Sequence, residues 1–218
     1  VEFYDALMKL QLPPGSVVQL YPGFFPHDNR NVGIQHAIEG KFDFCFFIDD
    51  DQILAPDAVL KLMAHDVDIV TCNLLTKEFP WQPYLFERIK DYREVFPLAL
   101  NELPQTGLVP VDACGLGGVL VKTSVFMTKG WPFPWLNVDE VYITDDLKFC
   151  AMAKQLGYTI HADLHVVSRH IIKGAVWPKW NGTKWETVIG INGGGEVVVP
   201  ASVPHPDYTK WRDAELAV

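Results

Sequence analysis

Three consecutive carboxylates, Asp49-Asp50-Asp51, close the most hydrophobic run of the sequence, Phe42-Asp43-Phe44-Cys45-Phe46-Phe47-Ile48. Two carboxylates presented together form half of a site for a hard divalent cation, which prefers oxygen ligands. A strand alternates its side chains, so continuing the run puts Asp49 and Asp51 on one side and Asp50 on the other. The plainer reading is that the acids stop the strand and cap a helix near Pro56. A second acidic pair lies in Thr144-Asp145-Asp146-Leu147-Lys148-Phe149-Cys150. With Thr144 as N-cap, both aspartates fall in a first helical turn, where the helix dipole favours negative charge. A fixed carboxylate can also accept a proton from an attacking hydroxyl, as a general base must.

Three weaker signals accompany the acids. Gly115-Leu116-Gly117-Gly118 precedes a strand, where glycines mark a tight turn or let backbone approach a sugar or phosphate closely. Among His161, His165 and His170, the last ends a strand and is placed to reach a metal from across a cleft. Asp28-Asn29-Arg30-Asn31 begins a helix, and a helix N-terminus carrying an arginine suits an anion. Its structural alternative is an Asp N-cap with a solvated Arg.

The elements that must position these residues follow from periodicity. Residues 2–11 and 28–39 have helical spacing, and residues 57–65 form a third short helix. Residues 16–21, 42–48 and 68–72 read as strands, the second aromatic enough to be buried on both faces. The passage from 42 to 72 is long enough for a right-handed parallel crossover. Residues 74–110 lack sustained periodicity and suggest short antiparallel strands with a mobile loop. A strand, glycine turn and strand follow over 111–126, then a helix at 144–156 and strands at 158–162 and 165–172. Residues 173–218, rich in Trp, Gly and Pro, read as a wrapping tail. The first half is parallel α/β and the second mixed, in one domain: residues 1–172 with the tail 173–218 as part of it.

Bulk properties narrow the function classes. The chain has 218 residues, 49% hydrophobic and 21% charged, the balance of an ordinary globule. Its net charge of −9, with no Lys/Arg-rich block, argues against a dedicated nucleic-acid surface or docking on anionic lipid. A nucleotide held through a metal remains compatible, because the cation supplies the positive charge. Cys45, Cys72, Cys114 and Cys150 are scattered without C-x-x-C spacing, which suggests reduced thiols and a cytoplasmic location. No run approaches the length of a transmembrane segment.

Taken in order, these segments resemble the GT-A glycosyltransferases, nucleotide-sugar-dependent, DxD-containing enzymes, here of the family-2-like kind. Phe44–Gln52 is similar to their "ffiDxD" signature, Asn29-Arg30-Asn31-Val32 to the "aRN" segment, and Gly117-Gly118 to the glycine pair near the sugar. Residues 144–150 resemble "xEDxxFC", with Asp replacing Glu at 145. Gly157-Tyr158, Asp163 and His170 resemble the "Gy…D…H" ending. The resemblance covers about residues 15–172. It implies a GT-A-like (Rossmann-like) α/β fold: a mixed, mostly parallel central sheet flanked by helices, with an irregular C-terminal tail. The first strand of such a domain is expected to be missing or to lie before Val1.

The resemblance also implies roles. Mn²⁺ or Mg²⁺ would be held by Asp49, Asp51 and His170, with imidazole ligation tilting preference toward Mn²⁺. A UDP- or GDP-type sugar donor would contact Arg30, Asp49, Asp50, Gly117 and Gly118. Asp146, or Asp145, would deprotonate the hydroxyl of an acceptor that is a glycan, small molecule or protein. The acidic pair favours inversion at the anomeric carbon, although retention stays open. Trp131, Trp135, Trp177, Trp180 and Trp185 are expected mostly in the core, and Gly190 with Gly193-Gly194-Gly195 at a hairpin turn. Two rivals are a sugar-nucleotide pyrophosphorylase, whose glycine-rich phosphate loop is not visible here, and a non-catalytic sugar-binding module of the same fold.

Overall fold

A computed structural model of the protein describes residues 2–22, 25–77, 81–91, 94–105, 107–131, 134–137, 144–172, 174–191 and 196–199. The run of aromatic residues before the aspartates forms strand β1 (Phe44–Phe47), preceded by helices α1 (Glu2–Leu7) and α2 (Pro26–Glu39). Pro26 starts α2, where its missing N–H costs nothing. β1 buries Cys45 and Phe47 and leaves Phe44 and Phe46 half-buried, so it is not enclosed on both faces as its composition predicts. That property belongs to β3 (Ile69–Asn73), whose five residues are all buried. Between them lie the short β2 (Gln52–Ile53) and α3 (Ala58–Met63).

The remaining elements follow in order: β4 (Leu85–Asp91), β5 (Glu94–Pro97), a 3₁₀ turn at Leu100–Glu102, β6 (Leu108–Val111), β7 (Ala113–Cys114) and β8 (Val119–Lys122). Then come α4 (Thr123–Phe126), α5 (Asp145–Gln155), β9 (Ile160–Val167), β10 (Arg169–Ile171), β11 (Gly174–Trp180), β12 (Trp185–Ile191) and β13 (Glu196–Val199). One sheet has the order β1-β8-β3-β9-β6, a second β13-β12-β11-β10-β2, and a third β5-β4-β7. In the first, β3 and β9 pair in parallel, whereas β1–β8, β8–β3 and β9–β6 are antiparallel. The pairs of the other two sheets are antiparallel throughout.

These pairings correct the fold expectation. The GT-A-like, Rossmann-like α/β architecture, with a mostly parallel sheet flanked by helices, gives way to three sheets of mostly antiparallel strands. Helices contribute little, since only α2 and α5 exceed ten residues among those described. β1 and β3 do run in the same direction, but they are not neighbours: β8 returns between them. Hydrophobic periodicity identifies strands without identifying their partners, which is why β8 defeats the crossover reading. The irregular tail is corrected too, because residues 174–199 include an antiparallel meander. β10 pairs only with Ala175 and Val176 of β11, so Pro178 falls where no N–H is needed on that side. Residues 193–195 and 201–218 lie outside the described residues.

The core is continuous around the first sheet. Ile34, Val125, Phe126, Leu147, Phe149 and Cys150 from α2, α4 and α5 pack with Cys45, Ile69, Val119 and Ile160. A smaller cluster beneath α3 joins Ala58 and Leu62 to Val70, Cys72, Leu120 and Val166. Trp131 packs against Phe126 and Phe149, and the buried Trp185 donates its indole N–H to the Pro104 carbonyl. All four cysteines are buried free thiols. No described helix is long and apolar enough to cross a membrane.

Candidate functional site

The strand directions explain why distant residues meet. β1 and β3 end at the same rim, and β8, running the other way, begins there. The rim therefore receives the turn after β1, the segment leaving β3 and the glycines before β8. Gly118 donates to the Phe47 carbonyl at 2.8 Å, and Cys72 to the Gly118 carbonyl at 3.0 Å, closing this edge. α5 adds its first turn, capped by Thr144, whose hydroxyl accepts from the Leu147 N–H at 3.4 Å. The register of β3 on β9 shifts between Cys72 and Asn73, and the chain turns at Ser168 into β10. β10 then pairs with β2, matching His170 to Gln52, and Ile171 donates to the Asp51 carbonyl at 2.8 Å. A cleft of about 510 Å³ opens at this rim, with Asp49, Gln52, Lys77, Tyr84, Gly117, Asp146 and His170 in its lining.

The aspartates do not continue β1. Gln52 donates to the Asp49 carbonyl at 3.1 Å, so Asp49–Gln52 is a turn and strand alternation does not apply. Asp50 is exposed, while Asp49 and Asp51 are half-buried. Arg30 gathers the first set of acids. Its Nη2 donates to Asp49 Oδ1 at 2.7 Å, and its Nη1 to Asp145 Oδ2 at 2.7 Å and Asp146 Oδ1 at 3.4 Å. Its side chain is only 10% exposed. Burial works against its charge, but Asp49, Asp146 and Asp145 outweigh that and raise its pKa. The flanking asparagines hold α2 in place. Asn29 donates to the Tyr21 carbonyl, and Asn31 bonds both polar backbone groups of Leu136. The arginine nominated as an anion site thus serves carboxylates of its own chain.

Asp146 is the most perturbed of these acids. Burial pushes its pKa up first, Asp145 and Asp49 add repulsion, and Arg30 with a Leu116 backbone hydrogen bond pull the other way. The result is a value of about 7, against 3.8 for an ordinary aspartate. Tyr84 stands in the same cleft, its hydroxyl pKa raised by burial and by the charge of Asp146.

Asp51 has different surroundings. Its Oδ2 is paired with the ammonium of Lys77, while its Oδ1 is buried without a hydrogen-bond partner among the described residues. His170 Nε2 lies 3.6 Å from that orphaned oxygen. The other ring nitrogen, Nδ1, is 2.5 Å from the Leu75 carbonyl, which can only accept, so Nδ1 carries the proton. Burial lowers the pKa of His170, against the opposing pull of Asp51. Asp51 Oδ1 and His170 Nε2 face each other across a gap too long for a direct hydrogen bond, an arrangement a shared cation would fit. Among the described residues no three His, Cys, Asp or Glu side chains converge on one point. Two protein ligands nonetheless suit a hard cation completed by water and substrate phosphate.

The glycines are explained from inside the fold. A Cβ on Gly117 would lie 2.8 Å from Asp49 Oδ2. Gly118 has φ +102°, and its Cβ would meet Cys72 Sγ at 2.4 Å. Asp163 is turned elsewhere: it bonds His65 Nε2 at 2.8 Å and the His165 N–H at 2.8 Å. None of the five tryptophans named above lines the cleft. Sequence reading missed Gln52, Lys77 and Tyr84. Gln52 directly follows the aspartates and was within reach, but Lys77 and Tyr84 sit in the stretch without periodicity.

No family model matches the sequence, and no curated protein matches it. Among solved structures the chain is similar to A197 from STIV, with a TM-score of 0.53 and 16% identity over 86% of this chain and 85% of that one. At such identity the likeness concerns the fold alone.

Proposed function

We propose that this chain is a metal-dependent glycosyltransferase that moves a sugar from a nucleotide-diphosphate donor to an acceptor hydroxyl. The observation carrying this reading is the position of Asp146: a buried carboxylate, its pKa pushed up by burial, lining the same cleft as His170, which stands beside Asp51. A base poised near neutrality is matched to accepting a hydroxyl proton. In the step itself, the acceptor oxygen forms a bond to the anomeric carbon as the bond to the diphosphate oxygen breaks. The electron pair leaves with the phosphate, and the proton goes to Asp146. Asp145 and Asp49 keep that carboxylate basic through repulsion, while Arg30 fixes its position.

Asp51 and His170 are the residues that would hold Mn²⁺ or Mg²⁺. Such a cation, when bound, supplies positive charge against a departing diphosphate. His170 is kept in the metal-binding tautomer by Leu75, and the β2–β10 pairing sets its distance from Asp51. Asp49 stands beside them with one oxygen committed to Arg30.

The test is a thermal-shift panel of UDP, GDP, CDP and their sugars, with and without Mn²⁺, followed by turnover of the donor that binds. A selective shift that requires Mn²⁺, together with Asp146→Asn that binds donor but loses turnover, is the expected result. A shift indifferent to metal, or normal turnover in Asp146→Asn, overturns the reading.

A further inference from the structure

Arg30 and Lys77 both neutralise acids in this cleft, but they are held very differently. The Arg30 side chain is 10% exposed and engages three carboxylates. The Lys77 side chain is 49% exposed and engages one oxygen of Asp51. Lys77 leaves the end of β3 two residues after Leu75, whose carbonyl orients His170, so the same stretch of backbone places both groups around Asp51. Four carboxylates (Asp49, Asp51, Asp145 and Asp146) face these two cations, which leaves two negative charges over. A divalent cation at Asp51 and His170 would offset that excess and compete with the Lys77 ammonium for the same carboxylate.

We propose that Lys77 is an exchangeable counter-ion: it neutralises Asp51 in the metal-free protein and turns to the phosphates of a nucleotide diphosphate once Asp51 is engaged by a divalent cation. Its long, half-exposed stem allows the movement at small cost, since an exposed ion pair contributes little stability. The anion it would meet carries more charge than Asp51 and arrives at the same rim. The nucleotide half of this inference rests on the function proposed above, whereas the competition with metal does not.

The experiment titrates Mn²⁺ alone, then UDP and GDP at saturating Mn²⁺, into the wild type, Lys77→Met and Lys77→Arg, reading affinity by calorimetry. Removing the ammonium frees Asp51, so Mn²⁺ is expected to bind Lys77→Met about fivefold to tenfold more tightly. The nucleotide diphosphate should bind that variant about tenfold more weakly, because a charge-assisted contact is lost. Lys77→Arg should move both values back toward the wild type. Opposite signs for the two ligands cannot arise from simple damage to the cleft. Unchanged or weaker Mn²⁺ binding in Lys77→Met overturns the exchange. If the wild type binds no nucleotide diphosphate even with Mn²⁺, the nucleotide half falls together with the glycosyltransferase reading, while the Mn²⁺ comparison still decides the rest.

Discussion

Asp49 and Asp51 belong to one turn, yet their environments are opposite. Asp49 shares a buried guanidinium with Asp145 and Asp146, a network whose strongest contacts are 2.7 Å. Asp51 has a half-exposed lysine on one oxygen and, on the other, no hydrogen bond among the described residues, with His170 Nε2 3.6 Å away. The first arrangement is finished by the chain itself. The second leaves one oxygen unsatisfied among the described residues. Buried polar atoms are nearly always satisfied in native proteins, so that oxygen is where the proposed cation would complete the set. Charge alone does not separate the two acids; the fixity of the partner does.

Replacing each partner measures that contrast. Arg30→Met should be the most damaging change, costing about 3–5 kcal/mol at pH 7 because the buried Asp145 and Asp146 and the half-buried Asp49 lose their cation. Urea unfolding should show the loss shrinking at pH 5, as protonation relieves the repulsion. Asp146 gives the next largest effect, through pH. Its folded pKa lies above its ordinary value, so its contribution to stability is fully present below about pH 4 and is lost as pH rises through 7. Asp146→Asn should therefore gain on the wild type by about 2–3 kcal/mol between pH 5 and pH 8. Activity of the wild type should rise through the same pH region, its acid limb set by that carboxyl.

Two smaller perturbations sharpen the comparison. Gly117→Ala sets a methyl group 2.8 Å from Asp49 Oδ2 and should cost about 1–2 kcal/mol while leaving Mn²⁺ affinity nearly unchanged. Lys77→Met should cost under about 1 kcal/mol, as exposed pairs do. If thermal unfolding showed Lys77→Met to be as harmful as Arg30→Met, the distinction between a fixed and an exchangeable partner would collapse.

Much of the site was legible before any coordinates. Asp49, Asp51, Arg30, Gly117, Asp145, Asp146 and His170 come near one rim because each lies within or beside an element that periodicity identifies. Asp50 does not join them, because the turn at Asp49–Gln52 replaces the strand whose alternation was assumed. The role of Arg30 was read as binding an external anion, since nothing local announces that Asp145 and Asp146 will sit opposite it. Fold legibility failed at pairing. Val17, Val18 and Leu20 have the composition of a strand but are exposed and form none among the described residues, because a strand needs a neighbour as well as propensity. β8 was seen as a strand, yet its insertion between β1 and β3 depends on the direction set by the Gly115–Gly118 turn, which hydrophobicity does not encode.

The two-rung ladder between β2 and β10, Ile53 with Arg169 and Gln52 with His170, has a consequence for biogenesis. During synthesis the aspartate turn emerges long before the histidine that pairs beside it. Pairings this distant in sequence close late and slowly. A nascent chain therefore passes through an interval in which the acidic turn has emerged but its ladder partner has not.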